Sequence, residues 1–134
     1  MNAPSSCSLH GDRWNDMLDE GWQLENPSAI ELEEALRRLD AKAYTMLTLT
    51  TGPNRHLAIG GGDGRYVVYA SIDNDQFFNL VRPDAPSGTV LLKVGGQEGD
   101  FPAAQIVTLA QAQAAALFYL DASELDPSQR WVAQ

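Results

Sequence analysis

Between Tyr44 and Pro102 the apolar runs are joined by connections too short to hold a crossover helix. That restriction matters most for the fold, because parallel strands need a dozen or more linking residues while antiparallel strands need only a turn. The hydrophobic period falls from about four to two at Tyr44, and Leu47 and Leu49 alternate with Thr48 and Thr50 across Thr45 to Thr51. Gly52-Pro53-Asn54 turns the chain into a second strand, His56 to Ile59. Gly60-Gly61-Gly62-Asp63-Gly64 reads as the next turn, its glycines giving access to positive dihedrals. Tyr66 to Ile72 is apolar on both faces and belongs in the middle of the sheet. Asp73-Asn74-Asp75 leads to Gln76 to Val81, Pro83 to Gly88 is a loop, and Val90 to Val94 is a fifth strand. Gly95 to Pro102 reads as a glycine- and acid-rich connection.

Helices flank this strand-rich middle. Asn26-Pro27-Ser28 is a helix start, capped either by Asn26 ahead of Pro27 or by Ser28 in a box with Glu31, and Leu32, Ala35, Leu36 and Leu39 then share one face up to Leu39. Thr108 and Gln111 form a second capping box. Leu109, Ala112, Ala116, Leu117 and Leu120 supply the stripe of the helix that follows, and its alanines permit close approach to the sheet. Asp126-Pro127-Ser128 turns the chain, so that Trp131 folds back onto the body. Residues 1–20 read as a polar amino-terminal extension ahead of a single domain over 21–134. Trp14, Leu18 and Trp22, four apart, predict a short helix from Asp12 to Gly21. The fold class expected is α+β: an antiparallel sheet of about five strands with an N-terminal and a C-terminal helix packed on it.

The chain has 134 residues, room for one core. It carries 18 acidic against 9 basic residues, a formal net charge of −9. A nucleic-acid or anionic-lipid partner calls for a basic stripe, which is absent from the sequence. An acidic surface instead steers basic partners toward itself. The single Cys7 excludes an internal disulfide and offers no second cysteine for a metal or redox pair. With neither a signal-like start nor a run of about 20 apolar residues, a cytoplasmic location is expected.

The search for chemistry returns little. His10 and His56 sit in no catalytic constellation, and Cys7, in a polar stretch, has no ordered base beside it. The glycine-rich turn at 60–64 runs into a strand rather than a helix, so it lacks the free helical N–H groups that hold phosphate. Asp73-Asn74-Asp75 opens like a calcium loop but lacks the later glycine and glutamate. Glu98 and Asp100 show no sign of the divergent environments that paired catalytic carboxylates need. No cofactor, metal or catalytic residue is expected. What remains is a set of acids at strand turns: Asp63, Asp73, Asp75, Glu98 and Asp100.

The order of segments resembles a known family. Asn26-Pro27-Ser28 opens a helix ending in Leu36-Arg37-Arg38-Leu39-Asp40, and the Tyr44-Thr45 strand follows. Later come Ile59-Gly60-Gly61-Gly62-Asp63-Gly64-Arg65-Tyr66-Val67-Val68 and Val94-Gly95-Gly96-Gln97-Glu98-Gly99-Asp100-Phe101-Pro102. An alanine-rich helix, Leu125-Asp126-Pro127-Ser128 and Trp131 close the pattern. This order is similar to the immunity protein 1 family of bacterial polymorphic toxin systems, over roughly residues 20–132. The resemblance implies a cytosolic antidote that binds and blocks a cognate secreted or contact-delivered toxin domain, such as a nucleic-acid deaminase or nuclease, and brings no catalytic residues with it. The five turn acids are then the expected contacts with that toxin. The alternative is a secretion chaperone or adaptor that holds an effector protein; a small hydrolase built on the glycine turn is a third reading.

Overall fold

A computed structural model describes residues 7–73, 76–84 and 86–134. Its main sheet has seven strands: β1 (Ser8–Gly11), β4 (Trp22–Glu25), β5 (Met46–Gly52), β6 (Arg55–Gly62), β7 (Arg65–Asp73), β8 (Gln76–Val81) and β11 (Arg130–Ala133). Their order is β11-β8-β7-β6-β5-β1-β4, and every neighbouring pair is antiparallel. Two small ribbons complete the strands: β2 (Trp14–Asn15) with β3 (Leu18–Asp19), and β9 (Thr89–Val94) with β10 (Gln97–Pro102). The α+β class expected from the sequence is the class observed, with more strands than five.

Helices α1 (Ala29–Arg38) and α2 (Leu109–Ala122) cover one face of the sheet. Both start at the capping boxes read from the sequence, Ser28 with Glu31 and Thr108 with Gln111. Each box satisfies N–H groups that the first turn leaves without partners. Leu32, Ala35 and Leu36 of α1 meet Leu47, Leu49, Leu57 and Ile59 of the sheet. From α2, Ala112, Ala115 and Ala116 bring the backbone close, while Tyr119 fills the remaining depth and donates to the carbonyl of Ser71 at 3.4 Å.

A second, smaller core lies beneath the β9–β10 ribbon, where Leu92 packs with Val67 and Ile106. Val67 and Val68 alternate across β7, so this ribbon lies against the face opposite the helices. The middle position expected for Tyr66 to Ile72 follows from both facts: β7 is flanked by β6 and β8, and one of its faces is helix-covered while the other is ribbon-covered.

Three readings need correction. Gly60, Gly61 and Gly62 do not turn; they continue β6, and the reversal is made by Asp63 and Gly64. These glycines serve close approach instead, since a Cβ on Gly60 would lie 2.3 Å from Val94 and one on Gly62 would lie 2.6 Å from the backbone of Leu39 to Ala41. Residues 97–102 are a strand rather than a connection, because Leu92 and Phe101 need a common surface to cover. The helix expected over Asp12 to Gly21 is a β-hairpin. Asp16 and Gly21 take positive φ values of 59°, which a helix does not allow. Asp19 then holds the hairpin closed by accepting from the N–H groups of Arg13 and Gly21, both at 2.9 Å.

Asp12 explains why this segment is drawn to the sheet. It is buried, and its carboxylate accepts from the N–H groups of Thr45 at 2.7 Å and Met46 at 3.0 Å, from Trp14 Nε1 at 2.7 Å and from the Thr45 hydroxyl. That hydroxyl in turn accepts from the Gly96 N–H at 2.9 Å, and the Trp14 ring stacks where a Gly96 side chain would be. One carboxylate therefore ties the amino-terminal segment, β5 and the β9–β10 turn together. Cys7 is likewise not in a loose end: it is buried, its N–H donates to Asn26, and burial with the nearby Glu25 charge raises its thiol pKa.

Two stability outcomes follow. Asp12→Ala leaves three N–H groups without their acceptor and costs about 3–5 kcal/mol, read as a fall in the midpoint of urea unfolding. Gly62→Ala combines backbone overlap with an unfavourable φ of 145° and costs about 3 kcal/mol. Gly64→Ala, at φ 86° but with open space around it, costs about 1 kcal/mol and serves as the comparison.

Candidate interaction surface

The five turn acids do not form one site. Asp63 lies in the β6–β7 turn at one end of β7, whereas Asp73 ends that strand, about 30 Å away by strand rise. Asp75 lies outside the described residues. Glu98 and Asp100 share the outer face of β10, opposite Lys93 and Leu91 of β9.

Asp63 and Glu98 do come together. They line a cavity of about 200 Å³ beside the end of α1, along with Lys42, Arg65 and Lys93. These three have no ion pair among the described residues, whereas Arg13, Arg37, Arg55 and Arg82 each face a carboxylate within 4 Å. Asp40, in the same wall, accepts from the N–H groups of Lys42, Ala43 and Tyr44. Although burial alone raises its pKa, those three hydrogen bonds outweigh it and lower the pKa. The patch is of mixed sign, not a concentrated negative field.

Acidic charge is less compensated elsewhere, at the β4 end of the sheet. Glu25 and Glu34 have no ion pair among the described residues, and Glu31 is engaged only with its own helix start at Ser28. Arg38, the basic group here, is stacked 4.8 Å from the Trp22 ring and 5.4 Å from the Tyr44 ring. Sequence reading passed over these acids because helix glutamates look like an ordinary solvated face; only the topology puts them beside a sheet edge.

The part of the ribbon's face of the sheet that the ribbon leaves uncovered carries His10, Thr48, Tyr69 and Asn79 in one lateral row, and Thr50, His56 and Phe77 in the next. His56 packs against the Tyr69 ring at 6.4 Å and the Phe77 ring at 6.2 Å. Burial and then the charge of His10 lower its pKa. A cleft of about 560 Å³ beside the start of α2 has an apolar floor at Val90, Ile106 and Val107 and a rim at Arg65, Arg82 and Asp84. Among the described residues, no group of three or more His, Cys, Asp or Glu is placed to hold a metal ion, and no helix is long and apolar enough to cross a membrane.

The family model described as Immunity protein Imm1 matches residues 20–133. This chain belongs to the Imm1 immunity protein family. Among solved structures, the crystal structure of a hypothetical protein from Neisseria gonorrhoeae is similar, with a TM-score of 0.62, 17% identity and 95% of each chain covered. At that identity the likeness speaks to the fold alone. No curated protein matches the chain. The Imm1 match begins after β1 and the β2–β3 hairpin, yet β1 sits inside the sheet between β4 and β5.

For this Imm1 protein, the histidine pair gives a direct check on the uncovered face. His56 titrates below the usual 6.5, so the fold favours its neutral form; that contribution to stability is present above pH 6.5 and is lost as pH falls through the folded-state pKa. NMR titration of ring protons follows this directly, and His10→Gln is expected to move the His56 midpoint back upward.

Proposed function

We propose that this protein is the antidote to a toxin domain that acts on nucleic acid, as a deaminase or nuclease, and that it works in the cytoplasm by binding that toxin. Family membership carries the antidote reading, since the matched stretch spans most of the chain. The net charge of −9 supports the choice of toxin class. An enzyme that binds phosphate backbones needs a basic groove, and an acidic body seated there competes with phosphate by the same field. Neutralisation by occlusion requires no bond making or breaking by the antidote. Asp63, Glu98 and Asp100, on the β6–β7 turn and the β9–β10 ribbon, are proposed as toxin contacts; Asp73 stands too far from them to share one small footprint.

Co-expression with the toxin domain encoded by the adjacent gene tests this reading. The chain is expected to restore growth, to co-purify with the toxin, and to bind more weakly as salt rises. Combined Asp63→Asn and Glu98→Gln, which keeps a residue suited to the positive φ of 56° at 63 and puts no like charge opposite Lys93, is expected to weaken binding about tenfold with the melting temperature little changed. Cells that die despite full expression of the antidote, with no complex recovered from any adjacent toxin, would refute it.

A further inference from the structure

We propose that the docking surface also includes the outer edge of β4, beyond the contacts at Asp63, Glu98 and Asp100, an extended lysine- and arginine-bearing segment of the toxin adding to the sheet as an eighth strand beside Gln23 and Glu25. This rests on the antidote reading above for the identity of the partner, but the surface itself is read from the strand pairing. β4 ends the seven-stranded order and, among the described residues, pairs only with β1.

Hydrogen-bond alternation says which groups point outward. The Asn26 N–H donates to the Cys7 carbonyl at 2.6 Å, which makes 7 and 26 a bonded pair. In an antiparallel ladder the bonded pairs then recur at 9 with 24 and 11 with 22, so the N–H and C=O of Gln23 and Glu25 turn away from β1. Those groups are a template for another strand. On the helix side of the edge runs a groove of about 230 Å³, lined by Trp22, Leu24, Ala35 and Arg38 together with Glu31 and Glu34. Side chains of an added strand that alternate toward this groove would meet apolar floor and carboxylate wall.

Charge selects the occupant. Gln23 and Glu25 are exposed on the strand, and Glu31 and Glu34 are exposed on the helix beside it. The nearest cation, Arg38, is committed to the Trp22 and Tyr44 rings. A second copy of this chain, at −9, is repelled by such an edge, whereas a basic strand is attracted to it. Apolar residues stand at both ends of the edge: Met17 and Leu18, 90% and 63% exposed, in the hairpin just before β4, and Ile30, 69% exposed, in the first turn of α1 just after it. They extend the footprint of the added strand onto neighbouring partner surface.

Two arms test the proposal. In the first, a capped octapeptide alternating lysine with valine is titrated into the full chain to about 1 mM while amide hydrogen exchange is followed; one alternating glutamate with valine is the control. The amides of Gln23 and Glu25 are expected to gain at least about tenfold protection with the basic peptide only. Gln23→Pro removes an outward N–H without touching the β1 ladder and is expected to abolish the effect, as is Glu25→Lys with Glu34→Lys should the proline variant fail to fold. No protection, or equal protection by both peptides, overturns the docking edge. In the second arm the same variants are assayed against the adjacent-gene toxin. If they neutralise it as well as the wild type does, the edge proposal falls and the antidote reading stands. If the wild type itself fails to neutralise, the antidote reading falls and the peptide arm decides the edge alone.

Discussion

A buried carboxylate organises one whole end of this molecule. Asp12 gathers the backbone N–H groups of Thr45 and Met46 at the start of β5, the Trp14 indole and the Thr45 hydroxyl, and through that hydroxyl the turn of the β9–β10 ribbon. A buried carboxylate is tolerable only when donors surround it, and here three of the four come from Thr45 and Met46, far along the chain, and the fourth from the neighbouring Trp14. The position of Asp12 after β1 fixes where the amino-terminal segment leaves the sheet. From there the hairpin and β4 follow, and with them the sheet edge that α1 leaves open.

That dependence explains what could and could not be read along the chain. Capping boxes, helix stripes and the switch to a period of two are local, so both helices and the five strands between Met46 and Val94 were legible, whereas β10 and β11 were not. Asp12 acts across 33 residues to reach Thr45, and no local pattern announces a contact of that range. The spacing of Trp14, Leu18 and Trp22 imitates a helix, but the rings answer to distant glycines: Trp22 lies against Gly11 and Trp14 against Gly96. The triple glycine misled for a related reason. Its composition says turn, while the space above it is filled by Val94 and Leu92 from another part of the chain. Of the surface, the acids at turns were visible from composition, but their separation and the cations around Asp63 and Glu98 were not.

Charge placement matters more here than net charge. The count of 18 acids against 9 bases suggests a uniformly negative body. In the fold, Lys42, Arg65 and Lys93 converge beside Asp63 and Glu98, and the less compensated acids are left along β4 and α1. A partner approaching from a distance responds to the total, whereas a docked partner responds to the groups within a Debye length, about 8 Å at physiological salt. Long-range attraction and the final seat can therefore be governed by different residues.

An exposed strand edge is a hazard in most proteins, and charge along it is the usual protection against pairing with another copy. The same device discriminates: an edge guarded by glutamates rejects acidic and neutral strands by leaving its carboxylates unpaired and admits a basic one. For an antidote this is a suitable combination, because backbone hydrogen bonds give affinity to any strand while the flanking acids decide which strand enters. It also separates the two demands on the sheet. Burial of Leu47, Leu49, Leu57 and Ile59 beneath the helices holds the fold, so the residues at the edge are free to vary with the partner without weakening the core that presents them.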